Sequence, residues 1–168
     1  TAEGGNYTCT CNEGWSGEQS CDHPTGCDRP CALGDRVNVA LGKTASLSSV
    51  LIKGRPDSPS MCVDGRTSNN GPLCHTDDDD KGTAWFKVDL GHEYTVHSVV
   101  VYNRVGFESR LVPAIIRACA TDQCTSSTEL ASYPISTSSS VYTWDLLQSG
   151  VRWVMVQQTG GHEMLNLN

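Results

Sequence analysis

The stretch YNRVGFESR, residues 102–110, places Arg104 and Arg110 around a short Gly-Phe loop in a chain whose formal charge is −7. A guanidinium is always charged and carries a rigid fork of N–H donors. A pair of them therefore either holds carboxylates or grips the oxygens of a ligand. Asp89 or Glu108 would serve the first reading for Arg104, as an ion pair at the edge of a core. Phe107 stands between the two arginines. An aromatic ring there can stack on sugar C–H groups or simply sit exposed at a loop tip. Nine cysteines form a second chemical set. Cysteines this numerous and closely grouped belong to an oxidising compartment, where disulfides persist. Cys27 and Cys31 have a spacing that zinc also uses, but apart from Cys21 and His23 no second pair stands near them. His92, His97 and His162 have no spacing that indicates a metal. No Ser/His/Asp order, paired carboxylates in a cleft-like context or phosphate-cradling glycine loop is present. The expectation is a protein that binds and does not catalyse.

The elements that must position these residues are legible in outline. A chain of 168 residues has room for one medium domain and a small appendage. Only 38% of the residues are hydrophobic, and no apolar run approaches the roughly 18–20 residues of a membrane span. The acidic balance argues against nucleic acid and against anionic lipid surfaces. Asn6-Tyr7-Thr8 is a glycosylation acceptor triplet, in keeping with secretion. The first residues do not form a basic-plus-apolar leader; they read as the middle of a longer protein. Residues 1–36 are rich in Gly, Cys and polar residues, and a piece this small must be stapled. From about Asn38 the composition changes. The runs at 83–91, 94–102, 113–119, 140–147 and 150–157 are short and β-rich, separated by Gly, Pro, Ser and Asp. Val96/Ser98/Val100 alternates against His97/Val99/Val101, and Trp85, Trp144 and Trp153 read as core. The serine-rich 135–140 and the acidic Asp77–Asp80 read as solvated loops. No helical periodicity runs for ten residues. The expected class is all-β, a sandwich or jelly roll.

Two resemblances sharpen this. CTCNEGWSGEQSC (9–21) resembles the C-terminal half of an epidermal-growth-factor-like (EGF-like) module. That resemblance implies a Cys11–Cys21 bridge, with Cys9 paired to a cysteine upstream, so that the chain is a fragment cut inside a module. Cys27 and Cys31 are expected to close the CDRPC linker loop. Residues 37–168 resemble the F-type lectins, or fucolectins, of the discoidin-like jelly-roll group. The resemblance rests on NVALGKTASLSS (38–49), CVDGRTSNN (62–70), CHT (74–76), AWFKVDLG (84–91), VVVYNR (99–104) and RWVMVQ (152–157). It implies a shallow site at one end of the sandwich, where a histidine and two arginines hydrogen-bond L-fucose. By matching motifs these are His75, Arg104 and Arg110, and Phe107 would supply an apolar platform for the sugar.

The sequence departs from the family pattern at several points. Gly106 stands where an aspartate two residues after the first arginine is common, and Phe107 and Glu108 occupy the place of an adjacent cysteine pair. The family often holds a structural calcium, to which Asp64 would contribute a ligand. A cysteine common near Asn168 is absent, so Cys62–Cys74 is the expected substitute pairing, and Cys119–Cys124 closes a second small loop. The reading is an extracellular fucose-type module of a larger secreted adhesive or matrix protein, with fucosylated glycans as partners and no membrane insertion. The alternative is a discoidin-like adhesion module that binds protein or surfaces without a sugar site.

Overall fold

Two long β-rich runs carry most of the architecture. In a computed structural model, described for residues 37–51, 58–68, 73–77, 82–161 and 164–168, they form β3 (Trp85–Tyr102) and β6 (Val141–Gln158). These pair antiparallel from Trp85 opposite Gln157 to Tyr102 opposite Val141, with register shifts between Asp89 and Ser98. The remaining strands are β1 (Thr44–Leu47), β2 (Cys74–His75), β4 (Ala114–Cys119), β5 (Glu129–Ile135) and β7 (Asn166–Leu167). All belong to one compact unit, Ala40–Asn168. One sheet has the order β1-β3-β6-β4-β5, and β2 and β7 pair as a second, two-stranded sheet. Every pairing is antiparallel, so the expected all-β class holds.

Alternation decides which face of the large sheet is buried. Successive side chains of a strand point to opposite faces, and Phe86, Val88 and Leu90 on β3 are buried together. Register places Phe86 against Val156 and Val88 against Val154, and then Ile116 against Val156 and Ala118 against Val154. Outside that sheet Val63, Leu73, Leu111, Leu165 and Leu167 are also buried and complete the core.

The tryptophans divide between the two faces. Trp144 is buried, as expected, but Trp85 and Trp153 are only half-buried. They share a face with Lys87, whose Nζ lies 5.0 Å from one ring centroid and 5.5 Å from the other. Strand parity is the reason: Trp85 and Trp153 each lie one position from the buried Phe86 and Val154. On the same strands Arg152 forks onto Asp89, Nε to Oδ1 at 3.0 Å and Nη2 to Oδ2 at 3.1 Å. That bridge holds the Asp89 carboxyl below its ordinary range.

The alternation read at 96–101 also changes phase. Register shifts lie between Tyr94, Val96 and Ser98; past them Val101 is buried and Val100 exposed. A bulge inserts an extra residue and so moves later side chains to the other face. The runs at 83–91 and 94–102 accordingly form one bent strand, as do those at 140–147 and 150–157. β5 (ELASYPI) lies outside the predicted runs. It is a sheet edge with mixed polarity and a proline, a weak signal for a strand.

Cys62–Cys74 and Cys119–Cys124 are disulfide-bonded. The segment 1–36, with Cys9 and the pairs Cys11–Cys21 and Cys27–Cys31, lies outside the described residues, as do Asp78–Asp80 and His162. No helix among the described residues is long and apolar enough to cross a membrane.

Candidate functional site

β3 ends at Tyr102, and the chain turns at once into the arginine loop. The Phe107 N–H donates to the Arg104 carbonyl at 3.2 Å, closing a four-residue turn. Gly106 sits at its third position with φ +85°. This left-handed backbone is open to glycine and strained for most other residues. A 3-10 turn, Glu108–Leu111, follows. Leu111 is buried, and the Arg110 N–H donates to the Phe107 carbonyl at 3.0 Å. Backbone N–H groups of Glu108 and Gly106 hold the Glu108 carboxyl below its usual range. The loop is thus a sequence of tight turns anchored at its far end in the core.

These turns bring both guanidiniums onto the same ring. The Arg104 Cζ lies 4.2 Å from the Phe107 centroid and the Arg110 Cζ 4.3 Å. Each is inside the range in which the negative face of an aromatic ring attracts a cation. Phe107 is 39% exposed. Arg110 is held from a second side: its carbonyl accepts from Gln158 Nε2 at 2.6 Å, and its Nη1 lies 3.7 Å from Met164 Sδ.

His75 reaches this end of the protein by another route. It lies on β2, paired with Asn166 of β7, while Leu167 of β7 pairs with Cys74 and also bridges to Asn103. β7 therefore runs between the strand of His75 and the start of the arginine loop. Two strand spacings separate their backbones by roughly 9–10 Å. The His75 main chain is braced by Leu51 N–H to its carbonyl at 3.1 Å and by the neighbouring Cys62–Cys74 disulfide. The ring is buried, with Nδ1 2.6 Å from the Thr76 carbonyl oxygen. A carbonyl only accepts, so Nδ1 carries a proton. The guanidiniums carry donors only, while an imidazole nitrogen donates or accepts according to its protonation, a combination suited to hydroxyl groups.

Asp64 lies on a different segment, two residues beyond Cys62 of the Cys62–Cys74 disulfide. It closes the 3-10 turn Pro59–Val63, where its Oδ1 accepts from the Arg66 N–H at 2.8 Å. Its Oδ2 lies 3.6 Å from Arg66 Nε. Calcium takes six to eight oxygens, and no group of three or more His, Cys, Asp or Glu converges among the described residues. The fit to calcium is one carboxylate, with Arg66 already on it.

The residues that sequence reasoning did not single out are those that hold the loop: Asn103, Gln158 and Met164. Asn103 stood inside the YNR motif, but nothing in the sequence distinguished it from its neighbours. The partners of Gln158 and Met164 are distant in the chain, and neither had a sequence signal.

Known proteins add the family. The sequence profile of the NedA-like, galactose-binding domain matches residues 61–156, more than half of the chain. This chain belongs to that family. The matched span of this NedA-like galactose-binding domain contains Asp64, His75 and the whole arginine loop. No curated protein sequence matches the chain. Among solved structures, it is similar to a Streptococcus pneumoniae fucose binding module, with 25% identity and a TM-score of 0.64 over 78% of this chain and 90% of that one. It is similar also to an F-lectin (fucolectin) from Morone saxatilis (striped bass) serum, at 26% identity and a TM-score of 0.59. That match covers 78% of this chain but 45% of the other. A chitosan-binding module of a chitosanase/glucanase from Paenibacillus sp. IK-5 shares the fold at 21% identity and a TM-score of 0.60, over 79% and 95% of the two chains. The fold is the discoidin-like β-sandwich of carbohydrate-binding modules, and these neighbours are binding modules, not catalytic domains.

Proposed function

We propose that this domain binds fucosylated glycans through His75, Arg104 and Arg110, as an extracellular module of a larger secreted or matrix protein. One observation carries the reading: two guanidiniums share the Phe107 ring, one short strand away from the strand of His75. The two structures at 25–26% identity add support, since their names describe a fucose binding module and a fucolectin. Phe107, still partly exposed, offers its remaining edge to the apolar side of the sugar. Disulfides in the domain agree with an oxidising setting. Hydrogen bonds to charged groups contribute about 1.5–3 kcal/mol each before ordering costs. A single shallow site is therefore weak, and useful avidity comes from several copies acting together.

The test is a glycan panel probed with the 168-residue chain. Retention on fucosylated glycans, competed by free L-fucose and not by D-galactose, is the expected result. A blank panel from protein that still adheres to protein-coated surfaces would replace the sugar site with an adhesion surface.

Calcium is proposed as a structural ion of the Asp64 loop, on the condition that Arg66 gives up the carboxylate. Scanning calorimetry is expected to show a higher melting temperature with calcium than with chelator, and no difference in Asp64→Ala. Identical melting of the unsubstituted protein under both conditions removes calcium from the account.

A further inference from the structure

We infer that Asn103 is the positioning residue of the arginine loop, setting where Arg104, Phe107 and Arg110 stand; its bearing on sugar rests on the function proposed above. Asn103 is 1% exposed and follows the last residue of β3. Its Nδ2 donates to the Glu108 carbonyl at 3.0 Å and to the Ser139 carbonyl at 3.1 Å. Its Oδ1 accepts from the Arg104 N–H at 2.8 Å. Its main-chain N–H donates to the Ser140 carbonyl at 2.9 Å, and its carbonyl accepts from Asn168 Nδ2 at 3.0 Å. A bridge to Leu167 completes the set. One buried side chain thus joins the arginine loop to the 139–140 turn, and its backbone joins both to the end of the chain that carries β7.

The chemistry selects asparagine. Two of the partners are main-chain carbonyls, which can only accept, and the third is an N–H, which can only donate. A side-chain amide supplies two N–H donors and one oxygen acceptor from a single short stem, and so satisfies all three. The turn that presents Arg104 begins at the very N–H that Oδ1 holds. Binding constellations tolerate errors of only about half an ångström, so a group that clamps both ends of the turn controls the direction of both guanidiniums. Gly106 has no side chain to brace the loop, and the amide of Asn103 clamps its backbone.

Asn103→Asp tests the idea with the smallest change of shape. An ionised carboxylate would face two carbonyl oxygens and repel them, while a protonated one regains a single O–H donor. At about pH 8 the variant is expected to bind L-fucose at least about tenfold more weakly than wild type. The wild-type-to-variant ratio should shrink as the pH is lowered toward about 5. The other charged or titratable groups nearby are Arg104, Glu108 and Arg110 on the loop, Tyr142, whose hydroxyl accepts from Ser139 N–H, and His75 across β7. They are the same in both proteins and cancel in the ratio. Amide exchange without sugar supplies the second readout. The N–H groups of Phe107 and Arg110 should exchange faster in Asn103→Asp and in Asn103→Ser, while those of Ile116 and Val156 in the sheet keep their protection.

A ratio near one at every pH with unchanged loop exchange overturns the proposal. Equal loss of protection in loop and sheet, or failure of both variants to fold, also overturns it, because Asn103 would then support the whole fold. Faster loop exchange in a domain whose wild type binds no fucose leaves the positioning role standing and removes the sugar reading.

Discussion

Arg104→Ala is expected to weaken fucose binding about 30- to 150-fold, or roughly 2–3 kcal/mol, without lowering the melting temperature. Alanine removes a charged donor and leaves sugar oxygens without their partner, the costly way to lose a hydrogen bond. It also removes one of the two cations over Phe107. The Arg104 main chain keeps its bond to Asn103 Oδ1, so the loop survives and the effect falls on the ligand. Phe107→Ala is the informative comparison. It takes away apolar contact and releases both guanidiniums, and about 1–2 kcal/mol of binding should go with it. Isothermal titration with L-fucose on the three proteins decides the matter. Equal affinities would show that the loop is not the site, and an Arg104→Ala protein that no longer folds would make the arginine structural.

Ile116→Ala should have the opposite profile, a large loss of stability with the site chemistry intact. Ile116 is fully buried on β4. It stands in register with Val156 on one side and Tyr133 on the other, on the sheet's buried face one strand in from the β5 edge. Truncating a buried isoleucine costs the transfer free energy of the lost methylenes and leaves a cavity, together about 2–5 kcal/mol. For a domain of this size each kcal/mol lowers the melting temperature by a few degrees. Chemical denaturation of wild type and variant measures the loss, and fucose affinity under strongly native conditions should be unchanged. A loss below about 1 kcal/mol would mean that the inner face is not the folding core.

Much of the fold was visible in residue order because strands announce themselves locally. FKVDL (86–90) alternates apolar and polar residues and WVMV (153–156) is a short β-rich apolar run, and the sheet pairs them in one ladder. Hydrophobic size alone places Trp85 and Trp153 in the core with Trp144, whereas strand parity places them outside it. Trp85 and Trp153 fall on the outer face, where Lys87 lies over them. The phase change near Val100 was invisible for a related reason. A bulge is set by cross-strand pairing, and a single strand's sequence records only its own alternation.

The site divides the same way. Arg104, Phe107 and Arg110 are close in sequence, so their turn could be read directly, with Gly106 supplying the left-handed step that closes it. Residue types and short spacings therefore determined the all-β class and the arginine loop, since each depends on interactions within a few residues. Only the tertiary structure decided that β7 lies between His75 and Asn103, and that Asn103 ties the loop to Ser139. Those contacts join segments far apart in the chain. Their energy comes from burial and hydrogen bonds formed only when the sheets close, so no local pattern of residues can record them.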